Sequence, residues 1–469
     1  MTVDAARNSR LEPEPGSFRD PDGRVLYTRD HRVLRGLSEE GAVAWRELAR
    51  APFFQRLTEQ GSLIPTRVAA DISPAPSGWA AVLEHDRVPF VSFPFEWTFG
   101  MLQDAAILHL ELLLEALTGG MTTKDGTAYN VQWRGTSPVF IDISSFTPAS
   151  GGPWEGYRQF CETFLNPLLI QAYRGVDFQP WLRGRIEGIP TGHTRRLLSG
   201  RDMLRRGVFK HVVLHDALQR RSTSGAQAAK QNLREAGFGA GLTRSTVTEL
   251  VRLVRDLGWR PRSSSWTRYA DERPYSEEDL DSKTKFVQKA VGDAAPRLVW
   301  DLGCNDGTFS LAAAPYAEYV VAMDADHATV ERLYRSLRKA GERKVLPLVV
   351  NLADPSPALG WRGRERRPLS DRGRPDVVLC LALVHHLSIN ANIPLEEIVS
   401  WLHSLQARVV VEFVDRTDPM VQRLLANKAI KHEDYTAARF EDLLARRFAF
   451  RRRAELSTGA RRLYDAIPK

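Results

Sequence analysis

Residues 298–310 read LVWDLGCNDGTFS and join an apolar run to a glycine-containing turn. The apolar residues predict a strand, and Gly303 and Gly307 allow the backbone to turn tightly and to approach a ligand closely. About twenty residues further on, the run YVVAM ends in Asp324, where a carboxylate can accept hydrogen bonds from two ribose hydroxyl groups. Together these features predict a nucleotide-type site at the ends of two neighbouring strands.

Apolar strands alternate with helical segments from residue 297 onward. The first five strand candidates are LVWDLG, YVVAMD, VLPLVVN, DVVLCLAL and RVVVEFV, and FRRRAEL and RRLYDAI close the series. Strands rich in Val and Leu that alternate with helices predict a parallel sheet covered on both faces, with ligands at the carboxyl ends of the strands. Residues 291–469 are therefore predicted to form a doubly wound α/β domain.

DLGCNDGTFS, the acid after the second strand and the seven-strand pattern together resemble the class I S-adenosylmethionine-dependent methyltransferases. The resemblance implies a Rossmann-like sheet of order 3-2-1-4-5-7-6, an antiparallel last strand and S-adenosylmethionine as cofactor. It also implies the cofactor contacts. These are Asp301, Gly303, Cys304, Asn305 and Gly307 around the methionine moiety, Asp324 at the ribose, and Asn351 with Leu352 at the adenine.

Candidate bases follow the fourth and fifth strands. Methyl transfer depends mainly on aligning the acceptor, and it needs a base only when the acceptor has a proton to lose. His385 and His386 stand in LALVHHLS, and Glu412 stands in VVVEFV. An imidazole that titrates near neutral pH suits a base. Paired histidines at this place also shape the cofactor pocket in small-molecule methyltransferases, so both roles stay open.

The segment WTRYADERPYSEEDLDSK, ahead of the first C-terminal strand, resembles the lid that such enzymes fold over the cofactor. Its candidate pocket residues are Tyr269, Tyr275 and Lys283, and the alternative is that they pack on the domain surface. Ser276 and Asp279 have the spacing of a capping box, which predicts that a helix begins there.

The N-terminal half carries a second motif, DGTAYNVQWRGTSPVFID, at residues 125–142. GRVLYT and a helical segment opened by Ser38 predict a small lobe, and VLEH and VPFVSFPFEW predict two further strands. The helix FGMLQDAAILHLELLLEAL then ends at two glycines. This order of elements resembles the protein-kinase-like phosphotransferases. The resemblance implies that Asp125 accepts a hydroxyl proton, and that Asn130 and Asp142 hold Mg²⁺ on the phosphates of ATP.

The motif also departs from that family. No Lys precedes Lys124, no glycine-rich phosphate loop is evident, and only Arg29, Arg32 or Arg35 could supply the cation of the small lobe. Arg and Lys are not interchangeable at phosphate sites. We therefore expect the three motif residues to cluster at the mouth of a cleft that no small-lobe Lys enters, with little or no nucleotide binding. The alternative is that Asp125 and Asn130 only cap a turn.

The 469 residues are enough for two main domains. Residues 1–22, rich in Pro, Glu, Arg and Ser, are predicted to be disordered. Residues 23–219 are assigned to a kinase-like α+β domain, residues 220–290 to a helical connector and lid, and residues 291–469 to the methyltransferase domain.

Composition limits the cellular setting and the partners. No apolar run reaches the roughly 18 residues of a membrane span, and the start lacks a signal-peptide core. The three cysteines, Cys161, Cys304 and Cys380, lack a metal-ligand spacing, so we expect a cytoplasmic protein without a structural metal. The net charge of +8 accompanies an excess of Arg over Lys, with basic clusters such as RGRERR and RRFAFRRR in which few aromatic residues are interleaved. This pattern argues against a nucleic-acid partner.

The whole arrangement, with YRQFCETFLNPLL in the middle and DPMVQRLL near the end, resembles large bacterial methyltransferases described as nodulation-protein-like. We expect a methyltransferase for a small-molecule or peptide acceptor, in which the kinase-like domain is a pseudokinase that recognises the acceptor or a nucleotide. The alternatives are a bifunctional phosphotransferase and methyltransferase, and an inactive scaffold. No oligomeric state follows from the sequence.

Overall fold

The computed structural model describes residues 11–72, 78–149, 152–217, 240–260, 276–426, 428 and 432–469. In these ranges an N-terminal part is built on an antiparallel sheet and a C-terminal part on a seven-stranded mixed sheet. Within the same ranges, no helix has the length and apolar character that crossing a membrane requires.

The N-terminal sheet has five strands in the order β1-β2-β3-β5-β4, all paired antiparallel. The strands are β1 (Glu12–Pro13), β2 (Gly23–Tyr27), β3 (Val33–Leu37), β4 (Thr66–Val68) and β5 (Ala81–His85). Helices α1 (Glu39–Arg50) and α2 (Pro52–Glu59) connect β3 to β4. The Ser38 side chain accepts a hydrogen bond from the N–H of Gly41, so the predicted helix start is confirmed.

A long buried helix and two ribbons follow the N-terminal sheet. Helix α3 (Phe99–Thr118) ends at Gly119 and Gly120, as predicted. The ribbons pair β6 (Met121–Thr123) with β9 (Phe146–Pro148), and β7 (Val131–Arg134) with β8 (Ser137–Phe140). The next helices are α4 (Tyr157–Phe160), α5 (Asn166–Arg174), α6 (Gln179–Gly184), α7 (Thr191–Leu197), α8 (Gly200–Met203) and α9 (Arg206–Val208), with π-helical turns at Cys161–Leu165 and Phe209–Leu214.

The described helices of the predicted connector, residues 220–290, pack on different parts of the chain. Helix α10 (Ala240–Asp256) packs on α3, where the Gln103 amide donates to the carbonyls of Val254 (2.7 Å) and Leu257 (2.8 Å). Helix α11 (Glu277–Ala294) begins at the predicted cap and buries its apolar face against the C-terminal sheet.

The C-terminal sheet has the topology that the sequence leads us to expect. Its strands are β10 (Leu298–Leu302), β11 (Tyr319–Asp324), β12 (Val345–Val349), β13 (Val377–Cys380), β14 (Arg408–Val414), β15 (Phe448–Glu455) and β16 (Arg461–Pro468). They lie in the order β12-β11-β10-β13-β14-β16-β15, which is 3-2-1-4-5-7-6 counted along the chain. The first five are parallel, and β16 is antiparallel to β14 and β15. The helices are α12 (Thr308–Ala313), α13 (His327–Ala340), α14 (Leu395–Ser404), α15 (Pro419–Ala426) and α16 (Ala437–Arg447).

Residues 11–22 correct one prediction, because they are ordered and not disordered. They form β1 and a 3-10 turn, and their side chains pair with the distant loop that follows β12. Arg19 donates to both carboxylate oxygens of Glu365, at 2.8 and 2.7 Å, and Glu14 accepts from Arg367 at 2.6 Å. These partners lie about 350 positions away, so local composition could not reveal them.

The segment VPFVSFPFEW corrects another prediction, because it is no strand. Apart from a 3-10 turn at Pro94–Glu96 it is irregular, and residues 92–97 are all buried instead of alternating between two faces. Proline at two of its positions removes backbone donors that a ladder needs. The segment instead fills the space between the two parts of the chain.

The two parts share one hydrophobic cluster. Phe90 contacts Trp300 edge to face at a centroid distance of 6.1 Å, and Trp133 contacts Tyr334 in the same way at 5.8 Å. Both contacts join an N-terminal ring to a C-terminal ring. The interface is therefore a packed core, which couples the stability of the two parts.

A buried ion pair crosses this interface. Arg372 donates to the two carboxylate oxygens of Glu96 at 2.7 and 2.5 Å, and both side chains are only 1% exposed. Arg372 also donates to the carbonyl of Val91 (3.1 Å), and the Ser356 hydroxyl donates to Glu96. Such a pair is costly to break, because one charge then stays buried without its partner.

We predict that Glu96→Ala lowers the free energy of unfolding by about 3–5 kcal/mol, because it leaves the Arg372 guanidinium buried and unneutralised. Urea unfolding of the full chain measures this loss. The control is Glu115→Ala, which removes the exposed pair with Arg56 and should cost less than about 1 kcal/mol. Equal losses in the two variants would contradict the account.

Candidate functional site

A cavity of about 420 Å³ opens at the carboxyl ends of β10, β11, β12 and β13. The sequence-predicted residues that line it are Lys283, Gly303, Cys304, Asn305, Asp324, Asn351, Leu352 and His386. Four other predicted residues, Asp301, Gly307, His385 and Glu412, are not among its lining residues. Tyr269 and Tyr275 lie outside the described residues, so their predicted lid role stays a prediction.

The turn after β10 forms one wall of the cavity. Gly303, Asn305 and Gly307 have φ values of 75°, 48° and 80°, in the left-handed region that glycine and asparagine tolerate best. The N–H groups of Gly303 and Cys304 donate to the carbonyl of Met323, at 2.8 and 2.9 Å, which ties the turn to β11. The turn is thus held by the neighbouring strand.

Gly307 and Asp301 do not line the cavity, but their contacts stabilise the turn. A Cβ atom at Gly307 would lie 2.5 Å from Cδ1 of Leu333, so glycine permits the close packing of α13. Asp301 is buried and accepts from the Ser310 hydroxyl at 2.5 Å. Burial raises the pKa of Asp301 to about 6. These residues shape the site without lining it.

Asp324 and Asn351 stand at neighbouring strand ends. One carboxylate oxygen of Asp324 accepts from the N–H of Asn305 (3.0 Å), and the other accepts from the N–H of Asp326 (2.9 Å). Each oxygen retains capacity for a further hydrogen bond. Burial raises the pKa of Asp324, although these hydrogen bonds oppose the shift. The Asn351 amide oxygen accepts from the N–H of Ala353 (3.0 Å) and fixes the loop after β12.

The two histidines have different environments. His386 lines the cavity, and its Nδ1 lies 3.3 Å from the amide nitrogen of Asn390. Burial and the nearby Arg461 lower the pKa of His386 to about 4, so its ring is neutral at pH 7. His385 is completely buried, and neither ring nitrogen has a hydrogen-bond partner among the described residues. The geometry therefore favours His386 over His385 for contact with a ligand.

Glu412 lies in a buried charge network behind the cavity. Its carboxylate is 2.5 Å from Nζ of Lys283 and 3.3 Å from the Arg461 guanidinium, which also contacts Asp418 at 2.8 Å. Burial alone would raise the pKa of Glu412, but Lys283 and Arg461 lower it. A carboxylate held by two cations is a weak proton acceptor. This placement conflicts with the prediction that Glu412 is a base and favours a role in holding Lys283.

The residues of the N-terminal motif lie close together. The N–H of Ile141, next to Asp142, donates to the carbonyl of Asn130 at 2.9 Å. Burial, and then the charge of Asp142, raise the pKa of Asp125. Among the described residues, however, no group of three or more His, Cys, Asp or Glu side chains could hold a metal ion.

Of the three arginines considered as candidate cations, Arg35 is the one that contacts this motif. From β3 it lies 3.1 Å from Asp142 and 3.4 Å from Asp20, and it donates to the Ser144 hydroxyl at 2.7 Å. Arg32 instead pairs with Asp71 and Glu84, and Arg29 is exposed.

Lys124, directly before the motif, is also paired within the chain. Lys124 contacts the carboxylate of Asp22, which belongs to the same N-terminal segment as Asp20. Phosphate groups would have to compete with these carboxylates for both Lys124 and Arg35. The arrangement therefore fits a Mg²⁺–ATP complex poorly.

Among the cavity residues that the sequence analysis missed, three have features that bear on the site. Asn390 follows His386 by four positions, so helical spacing could have identified it. Phe309 lines the cavity, and its ring lies 4.5 Å from Nζ of Lys283. Ala382 has φ of 50°, a conformation that costs energy for a residue with a Cβ and tends to occur at functional sites. No sequence signal marks it.

Comparison with known proteins identifies the family. No protein-family profile matches the chain. Over 444 residues it is 34% identical to the nodulation protein NoeA of Rhizobium meliloti strain 1021, an alignment that covers 92% of this chain and 91% of that protein. The chain belongs to the NoeA family.

Solved methyltransferase structures align with less than half of this NoeA family member. The magnesium protoporphyrin IX methyltransferase of Synechocystis PCC 6803, solved with bound S-adenosylhomocysteine (SAH), is 19% identical and has a TM-score of 0.31. The alignment covers 47% of this chain and 94% of the Synechocystis chain. The N-methyltransferase NodS of Bradyrhizobium japonicum WM9 is 10% identical and has a TM-score of 0.31. The alignment covers 41% of this chain and 99% of NodS. A SAM-dependent methyltransferase of Aquifex aeolicus is 15% identical and has a TM-score of 0.31. The alignment covers 44% of this chain and 100% of the Aquifex aeolicus chain.

We predict that Glu412→Gln destabilises the chain by about 3–5 kcal/mol, because two buried cations lose their shared counter-charge. Lys283→Met added to Glu412→Gln should recover at least half of that loss, since Arg461 keeps its pair with Asp418. Urea unfolding measures both effects. A Glu412→Gln variant as stable as the wild type would contradict the pairing role and restore Glu412 as a candidate base.

Proposed function

We propose that the chain is an S-adenosylmethionine-dependent methyltransferase that binds its cofactor in the cavity of the C-terminal sheet. The observation that carries the proposal is the placement of Asp324, whose carboxylate ends β11 and lines the same cavity as the turn after β10. A cavity of about 420 Å³ is within the usual range for cofactor sites. The residues present therefore fit this cofactor.

Each wall of the cavity has a separate task in this proposal. Asp324 accepts the ribose hydroxyl groups, Asn351 and Leu352 flank the adenine, and Lys283 with the turn at Gly303 holds the methionine moiety. S-adenosylmethionine supplies, when bound, an electrophilic methyl group on its sulfonium sulfur. The remaining work of the chain is to align the acceptor atom with that methyl group and to exclude water.

His386 is the proposed contact for the acceptor. Its ring is neutral at pH 7 because burial and Arg461 lower its pKa, so a ring nitrogen can accept a hydrogen bond. A hydroxyl or amino group on the acceptor would donate that hydrogen bond, which would orient the acceptor atom toward the methyl group. The lowered pKa makes His386 a weak proton acceptor, so its proposed role is orientation of the acceptor. The acceptor class is accordingly a small molecule or peptide with such a group.

We also propose that the N-terminal part is a kinase-like domain used for recognition and not for phosphotransfer. The five-stranded sheet, the long helix α3 and the clustered motif residues support the fold. The pairing of Arg35 with Asp142 and of Lys124 with Asp22 supports a non-catalytic role. The bifunctional alternative requires nucleotide phosphates to displace both pairs.

We predict that Asp324→Ala weakens binding of S-adenosylhomocysteine by about 10- to 100-fold, because hydrogen bonds to two ribose hydroxyls are lost. Isothermal titration calorimetry measures the change. Glu318→Ala is the matched control, since it removes an exposed carboxylate just before the amino end of β11 and should leave affinity unchanged. Full affinity in Asp324→Ala would remove the ribose contact from the proposal.

For the N-terminal domain we predict no ADP release from MgATP, in the presence or absence of a bacterial small-molecule extract. Phosphotransfer needs a free cation at the phosphates, and Arg35 and Lys124 are each engaged by carboxylates. A coupled ADP assay makes the measurement, with Asp142→Ala as the paired variant. Magnesium-dependent ADP release that disappears in Asp142→Ala would support the bifunctional alternative.

A further inference from the structure

One face of α13 docks on the N-terminal domain, and this helix begins only three residues after Asp324. The face carries His327, Glu331, Tyr334 and Arg338, whose spacing of four, three and four residues places them in one row. Their partners lie at the start of α3. Phe99 N–H donates to Nε2 of His327 (3.0 Å), Gly100 N–H donates to Glu331 (2.9 Å), and Asp104 accepts from the Tyr334 hydroxyl (2.5 Å) and pairs with Arg338 (2.5 Å).

The contacts with Phe99 and Gly100 complete the N-terminal cap of α3. The first N–H groups of a helix have no partner within it, and here they are buried. The Thr98 side chain accepts from the N–H of Met101, and the Thr98 carbonyl accepts from the N–H of Leu102. His327 and Glu331 therefore cap α3 from the other domain, and the negative charge of Glu331 suits the positive end of the helix.

The ring of His327 is held in one orientation. Because Nε2 accepts from Phe99, Nδ1 carries the ring proton and faces the carboxylate of Asp177 at 3.1 Å. The indole of Trp259 lies against the ring at a centroid distance of 4.4 Å. The amide nitrogen of Gln179 also lies 3.3 Å from Nε2, the ring nitrogen that accepts. The first residue of α13 is thus fixed by the N-terminal domain.

The turn that leads into α13 also contains Asp324, the residue proposed to bind the ribose. The N–H of Asp326 donates to Asp324 at 2.9 Å, and the side chain of Asp326 caps α13 by accepting from Thr329 at 2.8 Å. Asp324, Asp326 and His327 form one continuous turn between the sheet and the helix. A shift of His327 therefore moves the backbone donor that orients Asp324.

We propose that His327 and Glu331 are positioning residues for the cofactor site. They hold the start of α13, and through it the carboxylate of Asp324, against the N-terminal domain. Neither lines the cavity, so neither touches the cofactor. The inference rests on the proposed function, and it makes the N-terminal domain part of the support of the cofactor site.

The test compares His327→Ala with His327→Gln in the full chain, by calorimetric titration with S-adenosylhomocysteine. The alanine variant loses the hydrogen bond from Phe99, and we expect about tenfold weaker binding. Glutamine can accept from Phe99 through its amide oxygen, so affinity should return to within about threefold of the wild type. The control is Lys339→Ala, which alters an exposed position of the same helix and should bind normally.

The outcomes separate this inference from the function on which it rests. If the wild type fails to bind S-adenosylhomocysteine, the proposed function falls and the inference falls with it. If the wild type binds and His327→Ala binds equally well, only the inference is overturned. Equal weakening in the alanine and glutamine variants would also overturn it, because the hydrogen bond would then not be the cause. If His327→Ala does not fold, Glu331→Ala provides a second variant, because it removes the acceptor of the Gly100 N–H. We expect a similar weakening of binding there, and unchanged affinity would overturn the inference.

Discussion

The capping of α3 by side chains of α13 is the contact on which the arrangement of the two domains depends. The N–H groups of Phe99 and Gly100 are buried, and a buried donor without a partner costs about 1–3 kcal/mol. Separation of the domains would leave these donors unpaired and would also expose the shared hydrophobic cluster. The domains are therefore parts of one folded unit. Helix α13, which follows Asp324, contacts the N-terminal domain on one face and packs in the C-terminal core on another.

This constraint gives the cofactor cavity its rigid walls. Parallel strands bring polar residues together at their carboxyl ends, and the turn between β10 and α12 tolerates left-handed residues because Gly303 and Gly307 stand there. Behind the cavity, the charge network around Glu412 fixes Lys283. Catalysis by alignment requires such fixed groups, since small displacements of the reacting atoms reduce the rate strongly.

The sequence predicted what depends on local pattern. Strands of Val and Leu, the helix cap at Ser276 and the acid at the end of β11 all follow from neighbouring residues, and the structure has them where expected. Predictions failed where partners are distant in sequence. Residues 11–22 pair with a loop about 350 positions away. The buried contact of Glu412 with Arg461 joins residues 49 positions apart, and local pattern gives no sign of it. The capping role of His327 depends on a contact between domains, which no local pattern encodes.

The central claim is that the N-terminal domain and the cofactor site form one cooperative unit. Differential scanning calorimetry of the full chain, with and without S-adenosylhomocysteine, tests it most directly. The account predicts one unfolding transition that contains both domains and moves to higher temperature as a whole when the ligand binds. Two separate transitions, of which the ligand shifts only one, would contradict it.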